Sequence, residues 1–380
     1  MIQIAYRPSQ VSKIFIEAHI ADIHFGATNP RYQYQILREQ FIDQIRQLPY
    51  LDIISIDGDI FHHKFMANSD AIMFACNFIQ DLIKVCQQKN ATLLIIAGTA
   101  LHDADQLKLF YHYIGNGVDI RIIEQMRFEY VKGKKILIIP ELYGKGKQFY
   151  DSFLRGKELY DACYMHGTYM GSIYGKDVPD LDSSREPVFC MDDFRNCLGP
   201  IISGHVHRPG CFGGHFYYCG SPYRWQFGEE EDKGYLLLLH NIKTREYYVD
   251  FEPITSYRYD TINLDDMLQS DPKEVIDYIN QKKSEGIEHI RVQFTESNDA
   301  NLSVIKESFR NNPNVVIDSK TENQSVQEAI QESVEQQKDM NFIFDKSISP
   351  MDKLIMYIKT QEKGLTVTSD DLIQLLSDEL

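Results

Sequence analysis

An apolar, β-branched run that stops at a glycine and a cluster of metal-ligating side chains occurs twice in this chain. No other feature restricts its fold as much. Leu51-Asp52-Ile53-Ile54-Ser55-Ile56 leads into Gly58-Asp59-Ile60-Phe61-His62, and Gly199-Pro200-Ile201-Ile202-Ser203 leads into Gly204-His205-Val206-His207. A third site of the same kind, Asp22-Ile23-His24, precedes both. Short apolar runs followed by glycine read as buried strands ending in tight turns, and α/β folds gather their sites at the carboxyl ends of such strands. A lone Asp-x-His or His-x-His is common by chance, and a single buried histidine is more often a core residue than a ligand. Recurrence of the same strand-then-ligand order along the chain is what points to a two-metal hydrolase.

The donor types narrow the metal. Mixed imidazole and carboxylate ligands suit Mn, Fe or Zn better than Mg or Ca, which favour all-oxygen shells. Asp59 can bridge two cations with its two oxygens. Two cations about 3.5–4 Å apart can activate a water and steady both the attacking and leaving oxygens of a phosphoester displacement. The imidazoles must be unprotonated to ligate, so metal should be lost in acid.

The ordered motifs resemble the calcineurin-like metallophosphoesterases, and within them the SbcD-type nuclease subunits of double-strand-break processing complexes. Asp-x-His matches Asp22 and His24, Gly-Asp-x-Phe-His matches Gly58 to His62, an isolated His-Gly matches His166-Gly167, and Gly-His-x-His matches Gly204 to His207. Gly220-Ser221-Pro222-Tyr223-Arg224, then Phe227-Gly228-Glu229 and Lys233-Gly234, resemble the segment before the last core strands of such nucleases. The likeness is good over roughly residues 13–250. It implies a four-layer αββα sandwich of α/β class, with a small α+β cap domain and a C-terminal helical tail. It assigns Asp22, His24 and His207 to one metal, His166 and His205 to the other, and Asp59 to both. It implies His102, with Asp103 and His62, as catalytic residues, and Arg208, Tyr223 and Arg224 as substrate contacts.

One motif departs from the pattern. The family's Gly-Asn-His-Asp (or Glu) carries an Asn that binds the second metal, whereas here Thr92-Leu93-Leu94-Ile95-Ile96-Ala97 ends in Gly98-Thr99-Ala100-Leu101-His102-Asp103. Leu101 stands where the Asn is expected, and the loop reads as two residues longer. Thr99 could offer a hydroxyl, Asp103 or Asp105 could swing in, or water could fill the place. A weakened second site is the plainer reading.

Composition excludes several classes. Seven cysteines without a Cys-x-x-Cys pair argue against a disulfide framework and a zinc ribbon. No stretch approaches the ~20 apolar residues of a membrane span, and no basic region followed by a long apolar one opens the chain, so a cytoplasmic protein is expected. Walker-type phosphate loops and Gly-x-Ser-x-Gly elbows are missing, so neither ATP hydrolysis nor a serine nucleophile is indicated. A formal net charge of −16 would repel a polyanion at long range. Lys132, Lys134, Lys135, Lys145, Lys147, Arg155 and Lys157 could track phosphates, or could be no more than a solvated face.

The length of 380 residues calls for one large domain plus smaller ones. The expected division is a metallophosphoesterase domain over 1–252, a cap over 253–320, a polar linker over 321–345 and a helical tail over 346–380. Within the first, a strand over Lys13 to Ala18 is expected, then a helix after Ser69 with Ile72, Ala75, Cys76, Ile79, Leu82 and Ile83 as its apolar stripe. A second helix should open near Asp103 with Leu107, Phe110 and Tyr111. Closely spaced strands over Phe216–Cys219, Tyr235–Leu239 and Glu246–Phe251 suggest antiparallel pairing. The cap reads β-α-β-α-β, with Pro272 in a first helical turn. In the tail, Ser349-Pro350 opens a helix carrying Leu354, Ile355 and Ile358, and Ser369 caps one carrying Leu372, Ile373, Leu375 and Leu376. Such a helix pair must fold back on the core or dock on a partner.

The function these readings imply is a metal-dependent DNA exo- and endonuclease subunit with two divalent ions, of which manganese is expected. By the resemblance its partners are DNA and an SbcC-like ATPase held by the C-terminal helices, in DNA repair or recombination, and a homodimer is admissible. The alternatives are a phosphodiesterase for small nucleotides on the same fold, or a nuclease-like scaffold impaired at Leu101.

Overall fold

The computed structural model describes residues 14–103, 105–142, 145, 147–175, 178–179, 188–229, 231–263, 271–294 and 299–319. The chain divides into two compact units, Met1–Asp260 with Lys283–His289, and Thr261–Lys282 with Ile290–Leu380. The expected linker and the expected tail helices lie outside the described residues.

Twelve strands of the first unit form two six-stranded sheets. In chain order they are β1 (Ile14–Ile20), β2 (Ile53–Asp57), β3 (Thr92–Ile96), β4 (Ile120–Ile123), β5 (Arg127–Val131), β6 (Lys134–Ile139), β7 (Ala162–His166), β8 (Ile201–Gly204), β9 (Gly210–Phe212), β10 (Phe216–Tyr218), β11 (Lys233–Asn241) and β12 (Glu246–Ile254). The first sheet runs β12-β11-β1-β2-β3-β4 and the second β9-β10-β8-β7-β6-β5. β1 to β4 are mutually parallel, as are β6, β7, β8 and β10. Of the late strands expected to pair antiparallel, β11 does so with β12. β10 is antiparallel only to β9 and parallel to β8, because β8 reaches it from the other side.

Helices α1 (Pro30–Leu37), α2 (Asp70–Lys89) and α3 (Lys147–Leu154) belong to the same unit. Asn29 caps α1 by accepting from the amides of Arg31 and Tyr32, with proline in the first turn. Ser69 caps α2, and Asn90 in the left-handed region ends it. The buried stripe of α2 is centred on Ile72, Ala75, Phe78, Ile79, Leu82 and Val85. Cys76 and Ile83 sit at its margin, only partly buried, so the stripe lies slightly around the helix from the expected one. The helix expected from Asp103 is instead a turn over Ala100–Asp103 and a 3-10 segment over Gln106–Tyr113. Asp105 between them has a left-handed φ of 61°, which interrupts helical bonding. Leu107 and Phe110 point inward while Tyr111 is exposed.

Three apolar clusters set the layers. One packs Ile16, Ala18 and Ile20 of β1 against α1 and α2, a second covers the outer face of β6 to β8, and the third lies between the sheets. The first unit is thus an α/β sandwich, as the resemblance implied. In β1 the alternation is visible residue by residue. Phe15 and Ala21 join the inter-sheet cluster, and Glu17 and His19 lie on the same face.

That inter-sheet layer carries charge. Glu17, His19, Asp57, Lys134 and Tyr164 are buried there. The Lys134 ammonium donates to Glu17 and to the Tyr164 hydroxyl (2.7 Å), and His19 Nδ1 lies 2.9 Å from Asp57 Oδ2. Burial pushes the Glu17 carboxyl up, but Lys134 and His19 outweigh it and hold it at about 2. Lys134 is therefore an internal counter-ion and not part of a phosphate-tracking face. Lys132 pairs with Asp52, Lys135 with Glu158 and Arg155 with Asp151, so most of the described basic residues considered for that face are neutralised locally.

Tyr259–Asn263, His289–Phe294 and Val315–Ser319, most of whose residues belong to the second unit, form a three-stranded sheet in that order, with helices Pro272–Ser284 and Asp299–Phe309 between them in sequence. The Lys273 amide donates to Asp271 Oδ1 ahead of the first helix, whose first turn holds Pro272.

Removing one member of a buried ion pair leaves the other charge uncompensated. Lys134→Met should lower the unfolding free energy by about 3–5 kcal/mol, seen as a lower urea midpoint at unchanged slope. An unchanged midpoint would show that the pair does not hold the sheets together.

Candidate metal centre

Six parallel strands, three from each sheet, deliver polar residues to one edge. Asp22 and His24 follow β1, Asp59 follows β2, and Thr99 and His102 follow β3. Glu141 follows β6, His166 ends β7, and His205 and His207 follow β8. Within each sheet parallel pairing releases its three strands on the same side, and the contact of Asp59 with His166 shows that the two sheets meet at those ends.

The turns are held against backbone preference. Asp22, His24, Asp59 and His205 have φ of 52°, 49°, 54° and 95°, in the region L-residues rarely adopt. Each such residue costs on the order of 1–3 kcal/mol. Backbone bonds between the β1 and β2 turns keep them there: Asp22 N to Gly58 O (3.1 Å), His24 N to Asp59 O (3.0 Å) and Phe25 N to Ile60 O (2.8 Å). The glycines are steric requirements at two points. A Cβ on Gly58 would stand 2.1 Å from His166 Nδ1, and one on Gly98 would stand 2.1 Å from Asp59 Oδ1.

Four trios of donor atoms lie within 4.8 Å of one another among the described residues; besides Asp22, Asp59 and His166, and His24, His62 and His102, there are a first of Asp22, His24 and His207 and a second of Glu141, His166 and His205. Asp59 lies between them, its Oδ2 3.8 Å from His24 Nε2 and 3.3 Å from His166 Nε2. His24 Nε2 faces His207 Nε2 at 3.0 Å. Glu141 Oε2 lies 3.7 Å from His166 Nε2 and 3.4 Å from His205 Nδ1. Burial pushes the Asp59 carboxyl up, but His166, His24 and His102 pull it well below the usual carboxylate range.

These donors fit divalent cations. His166 Nε2 is fully buried with no hydrogen-bond partner, while its Nδ1 donates to the Asp57 carbonyl (2.8 Å), so the unpaired nitrogen is presented to Asp59 and Glu141. A buried imidazole nitrogen without a partner is costly unless a cation completes it. His207 is steadied in the same way: its Nδ1 lies 3.6 Å from Glu229 Oε1, and Lys233 Nζ donates to its carbonyl (2.9 Å).

The β3 loop differs from the expected alignment. Thr99, and not Leu101, sits beside Asp59: its amide donates to Asp59 Oδ1 (2.6 Å) and its hydroxyl to Glu141 Oε2 (2.8 Å). Counting back from His102 assumes an extended loop. The chain instead coils over Ala100–Asp103 and turns Leu101 outward, 57 % exposed. His102 Nδ1 donates to the His62 carbonyl, and its Nε2 lies 3.9 Å from Asp59 Oδ2. His62 lies beside it, with burial and then His102 holding its imidazole down at about 4.

Four sequence expectations are corrected. Asp103 accepts from the amides of Asp59, Ile60, Phe61 and Gly98, so its carboxylate is committed to holding two loops and cannot act on substrate. Tyr223 is fully buried and donates to the Ile23 carbonyl, which excludes substrate contact. The Arg224 guanidinium donates to the carbonyls of Glu229 (3.0 Å) and Glu231 (2.6 Å) and braces that loop. Arg208 is exposed next to His207. Asp105 pairs with Lys108 instead of entering the site.

Sequence reasoning missed Glu141 and Trp225. Glu141 follows Lys134-Lys135-Ile136-Leu137-Ile138-Ile139-Pro140, an apolar run with the same grammar as the others but without a glycine to mark it. Trp225 had no periodic signal. Its ring lies 5.5, 5.1 and 5.4 Å from those of His24, His62 and His207, and so walls the first trio.

No family model matches the chain. It is similar to a protein of Invertebrate iridescent virus 6 named "Putative phosphoesterase 244L", at 25 % identity over 231 residues, which is 58 % of this chain and 75 % of that one. The likeness supports phosphoester hydrolysis in general, and the His/Asp clusters suit the divalent metals such enzymes use. Among the described residues, no helix is long and apolar enough to cross a membrane.

Trp225 is the sole tryptophan. Its emission should be quenched when Mn²⁺ is added to chelator-treated protein, and Asp59→Asn should abolish most of that quenching. Equal quenching in the variant would place the ion elsewhere.

Proposed function

We propose that the chain is a two-metal phosphodiesterase whose substrate is DNA, cut as a nuclease, with manganese the ion expected among the Mn, Fe and Zn that its mixed donors suit. The observation that carries the hydrolase reading is the pair of donor trios sharing Asp59 at the common edge of two sheets. Two bound cations would polarise the phosphoryl group and supply a nucleophile at neutral pH.

The chain's own residues do the rest. Asp22, His24, Asp59, His166, His205 and His207 hold the centre. His102 has one nitrogen tied to the His62 carbonyl and turns the other toward Asp59. Its Nε2 is the atom through which a proton passes to the leaving oxygen. His62 and Trp225 line the approach, and the indole excludes water from one side.

The nuclease reading is supported by the Gly58–His62 motif and the Gly220–Glu229 segment. An SbcC-like ATPase partner is proposed from the sequence of 346–380 alone, where Leu354, Ile355 and Ile358, and then Leu372, Ile373, Leu375 and Leu376, recur at helical spacing. Deleting 346–380 should leave the metal centre intact and abolish capture of that ATPase; retained capture would remove the tail from the interface.

A second reading is favoured by charge. A net charge of −16, with Lys132, Lys135 and Arg155 paired and Lys134 buried, suits a small nucleotide phosphodiester better than a long polyanion. End-labelled single- and double-stranded DNA and a small phosphodiester should be compared with Mn²⁺. Cleavage of DNA supports the nuclease; turnover of the small ester alone supports the second reading. In either case His102→Ala should keep its metal and lose roughly 10²–10⁴-fold in turnover, and full activity in that variant would exclude the proton-donor role.

A further inference from the structure

We infer that Glu141 is a ligand of the second metal, supplying from β6 the oxygen that the β3 loop lacks. This rests on the two-metal reading above and adds to it a ligand of a different type from a different strand.

Placement comes first. β6 and β7 are parallel neighbours in the second sheet, with Ile139 opposite Met165, so the chain leaving β6 emerges beside His166 at the end of β7. The Glu141 amide donates to the Ala97 carbonyl (3.2 Å), which ties this exit to the end of β3 in the first sheet. Glu141 therefore bridges the strand ends that bound the second trio.

Its carboxylate is also aimed there. Oε2 lies 3.7 Å from His166 Nε2 and 3.4 Å from His205 Nδ1. Ligand atoms about 2.1 Å from one cation stand roughly 3–4 Å apart, which is the spacing of this oxygen and these two nitrogens. His166 Nε2 is the buried nitrogen with no hydrogen-bond partner. Asp59 Oδ2, 3.3 Å from that nitrogen, closes the set.

Thr99 then has a different task from the residue it replaces. Following Gly98 directly, it occupies the place beside Asp59, but its hydroxyl reaches both Glu141 Oε2 (2.8 Å) and Asp59 Oδ2 (3.3 Å). A hydroxyl placed against two carboxylates acts as a donor to them. Thr99 is thus a positioning residue that sets the Glu141 rotamer, and the longer glutamate side chain makes up the distance from β6.

The exchange of a neutral amide for a carboxylate changes the charge of the centre. Asp22, Asp59 and Glu141 contribute three negative charges against four positive charges on two divalent ions, leaving one; with an amide in the third place the remainder would be two. The second ion should be held more tightly, and its pull on an anionic substrate should be weaker.

The test is metal content, with exchange coupling in the electron paramagnetic resonance spectrum of the Mn²⁺-loaded protein as a second readout. Wild type should hold two ions per chain and show a coupled pair. Glu141→Ala should hold one, with the uncoupled six-line spectrum, and Glu141→Gln should keep the second ion with at least tenfold weaker affinity. Thr99→Asn combined with Glu141→Ala should recover the coupled pair. Two tightly held, coupled ions in Glu141→Ala would overturn the assignment while leaving the two-metal reading intact. Fewer than two ions in the wild type would overturn that reading itself. An unfolding midpoint equal to wild type shows that a lost ion is not a lost fold.

Discussion

The carboxylate of Asp59 is the point on which the site depends. A buried carboxylate must be matched by donors and positive charge or it will not stay ionised. Here the Thr99 amide, His166, His24 and His102 all approach it. Asp103 secures the amide of Asp59 from beneath, and Gly98 leaves the space its oxygen occupies. Only a fold that ends strands of two sheets at one edge can bring side chains from β1, β2, β3, β6, β7 and β8 within reach of a single oxygen pair.

The polar layer between the sheets continues into the centre. Asp57 offers its carboxylate to His19 and Ser55, and its carbonyl to His166. The residue that orients a candidate ligand is thus anchored in the same buried network as Glu17 and Lys134. A core of aliphatic residues would have packed the sheets as well, but it would have left the angle of His166 to chance. The buried charges are better understood as fixing register between the sheets at the height of the site than as a source of net stability.

The strand-ending motifs were legible because glycine, aspartate and histidine stand at fixed spacing after apolar runs. Asp22, His24, Asp59, His166, His205 and His207 all reach one edge, and the strand alternation disclosed the layers. What could not be read arises from tertiary placement. Lys134 reads as one more surface lysine until β6 is seen to lie opposite β1. Tyr223 and Arg224 carry the look of substrate contacts, yet their side chains brace the β1 turn and their own loop. The β3 loop misled by one helical turn, which moved the equivalent position from Leu101 to Thr99. Glu141 lacks a flanking glycine because its strand leaves through proline, and only the pairing of β6 with β7 brings it beside His166.

The left-handed backbone of four candidate ligands, Asp22, His24, Asp59 and His205, has a consequence for how this protein can be improved or can drift. Glycine at positions 22, 24, 59 or 205 would relieve the backbone and remove a donor in the same step. Stability and ion binding are therefore set against each other at those positions, and a search for heat-resistant variants made without selection for activity would be drawn to them first. A lineage that kept this fold after giving up hydrolysis should carry the record of that release as glycines in these turns.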